Sequence, residues 1–284
     1  MQEYVLYNDA VINRENAAID MEDRGYLFGD GIYEVMFVYN GRPFAVQEHF
    51  TRFQNSARKL EMNQPFTNGQ FAELINELIE KNNIINGIVY IQMTRGKGPR
   101  NHLYERDAEA IVTGFAREMN PPKEAQVKGI RALLTEDIRW LRCDIKSLNL
   151  LGNTMAKRKA ADYSCSEALM HRDGICTEGS SSNLFIVKNN VLQTHPANHY
   201  ILNGITRQFV LDIVKELKLN VREEAFTIEE LAGADEVFIT STTMEITPVV
   251  SIEGDIASEY KIGKVTRLLQ EKLKEKIGAL CHMK

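Results

Sequence analysis

Lys146 lies inside the run RCDIKSLNLLGNTMAK, which otherwise has the composition of a protein interior. From Arg142 to Leu151 the residue types alternate with the period of a β-strand, so the sequence predicts a strand here. Two interpretations are open. In one, this is an edge strand whose lysine extends its ammonium group into water. In the other, the lysine is partly desolvated and acts as a nucleophile on a carbonyl compound, which requires further polar groups elsewhere in the chain.

A single carboxylate, Glu178, precedes glycine and small polar residues in the segment TEGSSSN, between two apolar runs. Glycine allows a ligand to approach the backbone closely, and the glutamate supplies one fixed negative charge. The segment is equally typical of a plain turn, because Gly, Ser and Asn favour turns. On its own it therefore leaves both a ligand site and a turn open.

Three further segments could bind an anion. In NGITRQFVLDIV an Asn-Gly turn precedes a predicted helix whose first residues, Ile205 and Thr206, leave backbone N–H groups unpaired. In FITSTTMEITP an apolar strand ends in hydroxyl residues that include Ser241 and Thr242, and Arg52 lies on an amphipathic helix. Taken singly, each is equally typical of helix capping or of a solvated side chain. Together, a nucleophilic lysine, a lone carboxylate and an anion cradle could hold pyridoxal 5′-phosphate by its aldehyde, ring nitrogen and phosphate.

The elements that must position these residues alternate between short strands and amphipathic helices in both halves of the chain. The Asn40-Gly41 pair predicts a β-hairpin, and helices are predicted at about 153–163, 205–217 and 262–277. The Pro-Pro pair at 121–122 interrupts regular structure. We therefore predict an α+β or mixed α/β protein with a smaller N-terminal domain (1–120) and a larger C-terminal domain (121–284) that carries Lys146, and with a site at their interface.

Charge and composition disfavour several classes of protein. The net charge is −5 and the basic residues are dispersed, so no surface suited to nucleic acid or to an anionic membrane is indicated. The four cysteines have no metal-ligand spacing, and no metal site is expected. No run of about 18 apolar residues and no signal-peptide pattern is found, which predicts a soluble, cytoplasmic protein.

Several motifs together resemble the fold-type IV pyridoxal-phosphate aminotransferases: RGYLFGDGIYEV, EHFTRF, RWLRCDIKSLNLLGNTMAK, TEGSSSNLF, NGITR and TSTTMEITP. The resemblance runs nearly end to end. Within the family, RCDIKSLNLLG and TRGKGPRNH are most similar to the D-amino acid aminotransferases, where Arg100 and His102 match an R-x-H pair. Branched-chain L-aminotransferases and aminodeoxychorismate lyases on the same fold remain the alternatives.

The resemblance also implies a role for each matched residue. Lys146 would form the Schiff base with the cofactor and carry the substrate proton, and Glu178 would keep the ring nitrogen protonated. The phosphate would be held by Arg52, Ile205, Thr206, Ser241 and Thr242. The substrate α-carboxylate would be held by Tyr33, Arg100 and His102, the latter two reaching the partner's site in a homodimer.

The implied activity is a ping-pong transamination between a D-amino acid, D-alanine, and 2-oxoglutarate, which gives pyruvate and D-glutamate. Its use would be to supply D-amino acids for cell-wall peptides. A hypothesis from another class is a non-catalytic dimeric protein that binds an anionic metabolite.

Overall fold

The computed structural model describes residues 3–281, which form two compact units. The first unit comprises residues 3–121, Ile145–Asn149 and residues 277–281, and the second comprises residues 122–144 and 150–276. The segment that carries Lys146 groups with the first unit, whereas the sequence placed it in the C-terminal domain. The predicted boundary between the domains, at residues 120 and 121, stays a prediction.

Among its described residues, the first unit contains a six-stranded antiparallel sheet in the order β2-β1-β6-β5-β3-β4. Its strands are β1 (Tyr4–Tyr7), β2 (Ala10–Asn13), β3 (Gly31–Tyr39), β4 (Arg42–Pro43), β5 (Gly87–Thr94) and β6 (Ile111–Glu118). Its helices are α1 (Arg24–Phe28), α2 (Val46–Lys59) and α3 (Asn68–Lys81). The β3–β4 hairpin turns at Asn40 and Gly41, both with positive φ (51° and 75°), so the predicted hairpin is confirmed.

The core of this unit lies between one face of the sheet and the apolar stripes of α2 and α3. Successive side chains of a strand point to opposite faces, so Ile32, Glu34 and Met36 of β3 share the face that is buried, while Tyr33 lies on the other. Phe50 and Phe53 of α2 belong to the same core. A carboxylate, Glu34, is therefore placed among apolar side chains.

The second unit has a nine-stranded mixed sheet, in the order β12-β11-β10-β13-β14-β7-β8-β9 with β15 paired to β14, counted over the residues described. Its strands are β7 (Ile130–Glu136), β8 (Glu167–Arg172), β9 (Ile175–Gly179), β10 (Asn183–Lys188), β11 (Val191–Thr194), β12 (Asn220–Glu223), β13 (Glu236–Ser241), β14 (Glu245–Gly254) and β15 (Ser258–Glu259). The helices that begin in it are α4 (Lys123–Lys128), α5 (Leu151–Asp162), α6 (Ile205–Glu216), α7 (Ile228–Ala232) and α8 (Lys264–Cys281).

Both units combine strands with helices, so the α+β or mixed α/β class predicted from the sequence is confirmed. The three helices predicted in the C-terminal half correspond to α5, α6 and α8 within a few residues. Within residues 3–281, no helix has both the length and the apolar composition needed to span a membrane.

The strand predicted around Lys146 is wrong. Burial alternates from Cys143 to Leu148, but the backbone turns at Cys143 and Asp144. Among the described residues, one isolated bridge, between Ser147 and Ile32, joins the segment to β3. The Ser147 N–H donates to the Ile145 carbonyl, and the Asn149 N–H donates to the Ser147 hydroxyl. These local hydrogen bonds compete with the backbone hydrogen bonds that would pair the segment with another strand. Because α5 begins at Leu151, the segment is also too short to form a strand.

Candidate functional site

Lys146 is held by its backbone rather than by its side chain. Its carbonyl accepts the Tyr33 N–H at 2.9 Å, and its own N–H donates to the Ser56 hydroxyl at 3.2 Å. The amine Nζ lies 4.2 Å from the centroid of the Tyr33 ring, a cation–π contact. No other residue within 3–281 makes a hydrogen bond or an ion pair with Nζ. The fold thus fixes the position of the lysine and leaves its amine available for chemistry.

Arg52 is oriented by Glu34 on the neighbouring strand. Arg52 Nε donates to Glu34 Oε1 at 2.6 Å, and Nη2 donates to Oε2 at 2.9 Å, the bidentate geometry that suits guanidinium and carboxylate. His49, three residues before Arg52 on α2, contacts the same Oε2 through Nδ1 at 2.6 Å. Residues three apart share a helix face, so α2 presents both side chains to β3. The predicted contact of Arg52 with a phosphate stays a prediction.

The Glu34–His49–Arg52 cluster is buried, and its electrostatics follow from that. Burial alone would raise the pKa of Glu34, but the Arg52 guanidinium and His49 outweigh it and hold that pKa well below its usual range. Burial lowers the pKa of His49, although Glu34 opposes this shift. Glu34 is therefore ionised and His49 neutral in the folded protein near neutral pH.

This cluster predicts a loss of stability in mild acid. The folded-state pKa of His49 is depressed below 6.5, so below that pH the unfolded chain binds a proton that the folded chain does not, and the free energy of unfolding falls. One pH unit below 6.5 this loss is at most about 1.4 kcal/mol. Urea unfolding of cofactor-free wild type and of His49→Gln at pH 7.5 and pH 5.5 measures it, because the raised pKa of Glu178 acts in the opposite direction and is common to both proteins. His49→Gln lacks the proton uptake of His49, so the stability difference between wild type and variant should shrink at the lower pH; an unchanged difference contradicts the assignment.

Glu178 lies at the end of β9 and is buried, with 4% of its surface exposed. Its Oε1 accepts Arg139 Nη1 at 2.6 Å, and its Oε2 accepts Asn183 Nδ2 at 2.9 Å and the Leu202 N–H at 3.1 Å. A carboxylate has about four acceptor sites, so one remains for a ligand. Burial raises the pKa of Glu178 to about 7, against the opposing effect of Arg139.

Arg139 balances the charge of Glu178 and is itself anchored. Its Nε and Nη2 donate to the two oxygens of Asp137 at 2.9 and 2.8 Å. Burial would lower the pKa of Arg139, but Glu178 and Asp137 raise it above its ordinary value, so the guanidinium stays charged. Arg172 also donates to Asp137, at 3.2 Å. Glu178 is thus the end of a buried chain of charged groups.

The serines that follow Glu178 have a structural partner. The hydroxyls of Ser180, Ser181 and Ser182 all donate to Glu167 on β8, the latter two at 3.1 and 3.0 Å. The Ala168 N–H donates to the same carboxylate at 2.8 Å. The hydroxyls of this segment thus fix the chain directly after Glu178.

Helix α6 begins without a side-chain cap. Its N-cap residue is Gly204, which has no side chain to bond to the N–H groups of the first turn, where Ile205 and Thr206 lie. A Cβ on Gly204 would come within 2.1 Å of Asn183 Oδ1, so only glycine allows this approach to the strand after Glu178. An uncapped helix N-terminus favours an anion.

The hydroxyl cluster at the end of β13 is partly used within the protein. Ser241 is the last residue of β13, and its Oγ accepts the Met244 N–H at 3.1 Å across the turn that contains Thr242. Both residues are half-buried. Their contacts with a phosphate stay predictions.

Arg100 and His102 lie on the exposed loop between β5 and β6 and share one neighbour. The Arg100 guanidinium carbon lies 5.6 Å from the centroid of the Phe28 ring, and the His102 ring lies 5.6 Å from it. The structure therefore brings this predicted pair together around the end of α1. Their reach into a partner's site stays a prediction.

Sequence reasoning missed Glu34, His49, Arg139 and Asp137. Glu34 contacts the predicted residue Arg52, 18 residues away, and Arg139 contacts the predicted residue Glu178, 39 residues away. His49 contacts Glu34, 15 residues away, so only the tertiary structure reveals these pairs. For Glu34 a signal was present, because the alternation of β3 places this carboxylate on the apolar face. A charge at such a position requires a buried partner.

The sequence matches the family described as amino-transferase class IV over residues 31–252. It is 45% identical over 268 residues to the D-alanine aminotransferase of Staphylococcus epidermidis, covering 94% of this chain and 95% of that protein. It is 46% identical over 280 residues to the D-alanine aminotransferase of Listeria monocytogenes, covering 98% of this chain and 97% of the relative. A solved structure, the branched-chain amino acid aminotransferase of T.th. with pyridoxamine 5′-phosphate, superposes with a TM-score of 0.88 at 28% identity, covering 99% of this chain and 95% of that chain.

Proposed function

The chain belongs to the class IV aminotransferase family, and we propose that it uses pyridoxal 5′-phosphate to transfer the amino group of D-alanine to 2-oxoglutarate, giving pyruvate and D-glutamate. The observation that carries the proposal is the identity of 45–46%, over nearly the full length of both chains, to proteins named D-alanine aminotransferase. The branched-chain structural relative is 28% identical, which favours the D-amino acid branch.

Three observations within the chain fit this cofactor. The amine of Lys146 makes no hydrogen bond or ion pair among the described residues, so it can bind an aldehyde. Glu178 retains one acceptor site, which suits a ring N–H. The uncapped N-terminus of α6 offers N–H donors to a phosphate.

When bound, pyridoxal phosphate supplies an electron sink for the bond that breaks at the substrate Cα. Lys146 Nζ then moves the proton of Cα, and the Tyr33 ring beneath it limits where the amine can go. Glu178 would accept a hydrogen bond from the ring nitrogen and hold the proton there.

The phosphate is proposed to bind Ile205, Thr206, Ser241, Thr242 and Arg52, of which Arg52 is oriented by Glu34. Tyr33, Arg100 and His102 are proposed to hold the substrate α-carboxylate. In this account the protein is a cytoplasmic homodimer, and Arg100 and His102 of one protomer serve the partner's site. The exposure of both side chains in the single chain supports this part of the proposal.

Arg100→Met is expected to raise KM for D-alanine and for 2-oxoglutarate by roughly ten- to a hundredfold, because a charge-assisted bond to a carboxylate contributes about 1.5–3 kcal/mol. Both substrates carry this carboxylate, so both half-reactions should weaken. Cofactor affinity should stay near that of wild type, since Arg100 does not touch the cofactor. Steady-state constants measured beside a cofactor titration test this. Weakening of only one substrate, or loss of the cofactor, would reassign Arg100 to specificity or to structure.

A reduction experiment tests the cofactor and separates an enzyme from a metabolite-binding protein. The protein with pyridoxal phosphate should be yellow, and borohydride should bleach it and leave the cofactor covalently attached. Peptide mapping by mass spectrometry should locate the attachment at Lys146. A protein that stays colourless after the cofactor is added, or a label on another lysine, would contradict the proposal.

A further inference from the structure

The loop that carries Arg100 and His102 is attached to α1 by a buried arginine. Arg24 Nη1 donates to the Asn101 carbonyl at 2.7 Å, and Asn101 is the residue between Arg100 and His102. Arg24 is 6% exposed, so the donor of this bond is buried, while Asn101 lies on the exposed loop. A charged donor on a carbonyl forms one of the stronger hydrogen bonds in proteins. Arg24 therefore fixes the backbone midway between the two side chains.

Arg24 is in turn held in place by Asp30. Asp30 Oδ2 accepts Arg24 Nε at 2.9 Å and Arg95 Nε at 2.8 Å. Arg95 is 3% exposed and donates with Nη1 and Nη2 to the carbonyls of Glu61 and Leu60. The two guanidinium groups carry two positive charges, and the carboxylate carries one negative charge. Three backbone carbonyls, which accept hydrogen bonds from the guanidinium groups, help to stabilise the remaining positive charge. The result is a hydrogen-bonded cluster, Arg24–Asp30–Arg95, at the base of the loop.

The same helix supplies a surface for the side chains of the loop. The Phe28 ring lies 4.6 Å from the guanidinium carbon of Arg24 and 5.6 Å from that of Arg100. The His102 ring lies 5.6 Å from it. Farther along the loop, Tyr104 lies 3.9 Å from the Arg95 guanidinium carbon. Arg24 thus holds the backbone of the segment 100–102, and Phe28 contacts its side chains.

We propose that Arg24, together with Phe28, is a positioning residue for substrate carboxylate binding. It touches neither substrate nor cofactor in this account, and acts by holding the Asn101 carbonyl so that Arg100 and His102 keep a fixed direction. This inference rests on the proposed function, in which Arg100 binds the carboxylate. A binding group held in one orientation loses less freedom when the substrate arrives, so releasing it weakens binding more than it slows the chemical step.

A double-mutant cycle tests this role. Arg24→Met, Arg100→Met and the double variant are compared with wild type in KM for D-alanine and 2-oxoglutarate, kcat, cofactor affinity and Tm. Arg24→Met should raise both KM values about three- to tenfold and change kcat less than about twofold. In the Arg100→Met background, Arg24→Met should add less than about twofold to KM, because the group through which it acts is already absent.

The control is Arg14→Met, which removes an exposed arginine of the same unit that pairs with Glu3. It should leave KM and kcat unchanged. If Arg24→Met does not fold, Phe28→Leu is put through the same cycle, since it removes the ring beneath Arg100 and keeps an apolar side chain.

The outcomes separate this inference from the proposed function. Unchanged KM in Arg24→Met, or a KM effect that is equally large in both backgrounds, overturns the positioning role while D-alanine turnover by wild type stands. Loss of kcat together with cofactor shows a structural role instead and also overturns it. Absence of D-alanine turnover in the wild-type protein overturns the proposed function itself.

Discussion

Lys146→Ala is expected to lower kcat by at least about 10⁴-fold, the largest effect of any single substitution in this chain. The side chain is both the nucleophile that binds the cofactor aldehyde and the carrier of the substrate proton, so one substitution removes two functions. Stopped-flow and steady-state assays with D-alanine measure the loss.

The fold should tolerate this change. Among the residues described, the amine makes no hydrogen bond or ion pair and lies over the Tyr33 ring, and the hydrogen bonds that fix residue 146 come from its backbone. We therefore expect Tm to change by no more than a few degrees. Lys276→Ala is a matched control, because it removes a half-exposed lysine that pairs with Glu216 and has no proposed role. Turnover by Lys146→Ala near the wild-type level, without an added amine, would exclude Lys146 as the catalytic lysine.

Glu178→Gln is expected to lower kcat about 10²- to 10³-fold while the cofactor still binds, because a preorganised charge that stabilises the transition state is lost. A neutral amide cannot hold the proton on the ring nitrogen, so the step that breaks the Cα–H bond should slow most. The exchange rate of the Cα proton of D-alanine with solvent measures this step directly. A wild-type exchange rate in the variant would contradict the role given to Glu178.

A cost in stability accompanies this change and must be measured separately. Both oxygens of Glu178 accept hydrogen bonds, from Arg139 on one side and from Asn183 and Leu202 on the other. In either orientation the amide NH₂ of glutamine faces another hydrogen-bond donor, which lowers the free energy of unfolding by about 1–3 kcal/mol. Activity should therefore be compared well below the Tm of the variant. Ser182→Ala is a milder control, since it removes one of the hydroxyls on Glu167 and leaves Glu178 intact.

The sequence predicted the elements of the fold better than the contacts of the site. The 3.6-residue periodicity located α5, α6 and α8, and Asn40-Gly41 located the β3–β4 turn, since these signals are local in sequence. The strand predicted around Lys146 failed because alternation alone does not show whether a partner strand continues beside it.

The electrostatic partners of the candidate site could not be predicted, for a related reason. Glu34 and Arg52 are 18 residues apart, and Arg139 and Glu178 are 39 apart, so their pairing depends on how β3 packs on α2 and how the chain before α5 returns to β9. Residue type alone made Arg52 and Glu178 candidates for a ligand. The structure adds the partners that orient each of them, and their roles toward the cofactor stay predictions.

The central claim is that this aminotransferase acts on D-amino acids, and the enantiomer of its product tests that claim most directly. The enzyme with pyridoxal phosphate is incubated with 2-oxoglutarate and either D-alanine or L-alanine, and the glutamate formed is resolved by chiral chromatography. The account predicts D-glutamate from D-alanine and no turnover of L-alanine above the background without enzyme. L-glutamate as the main product would contradict it.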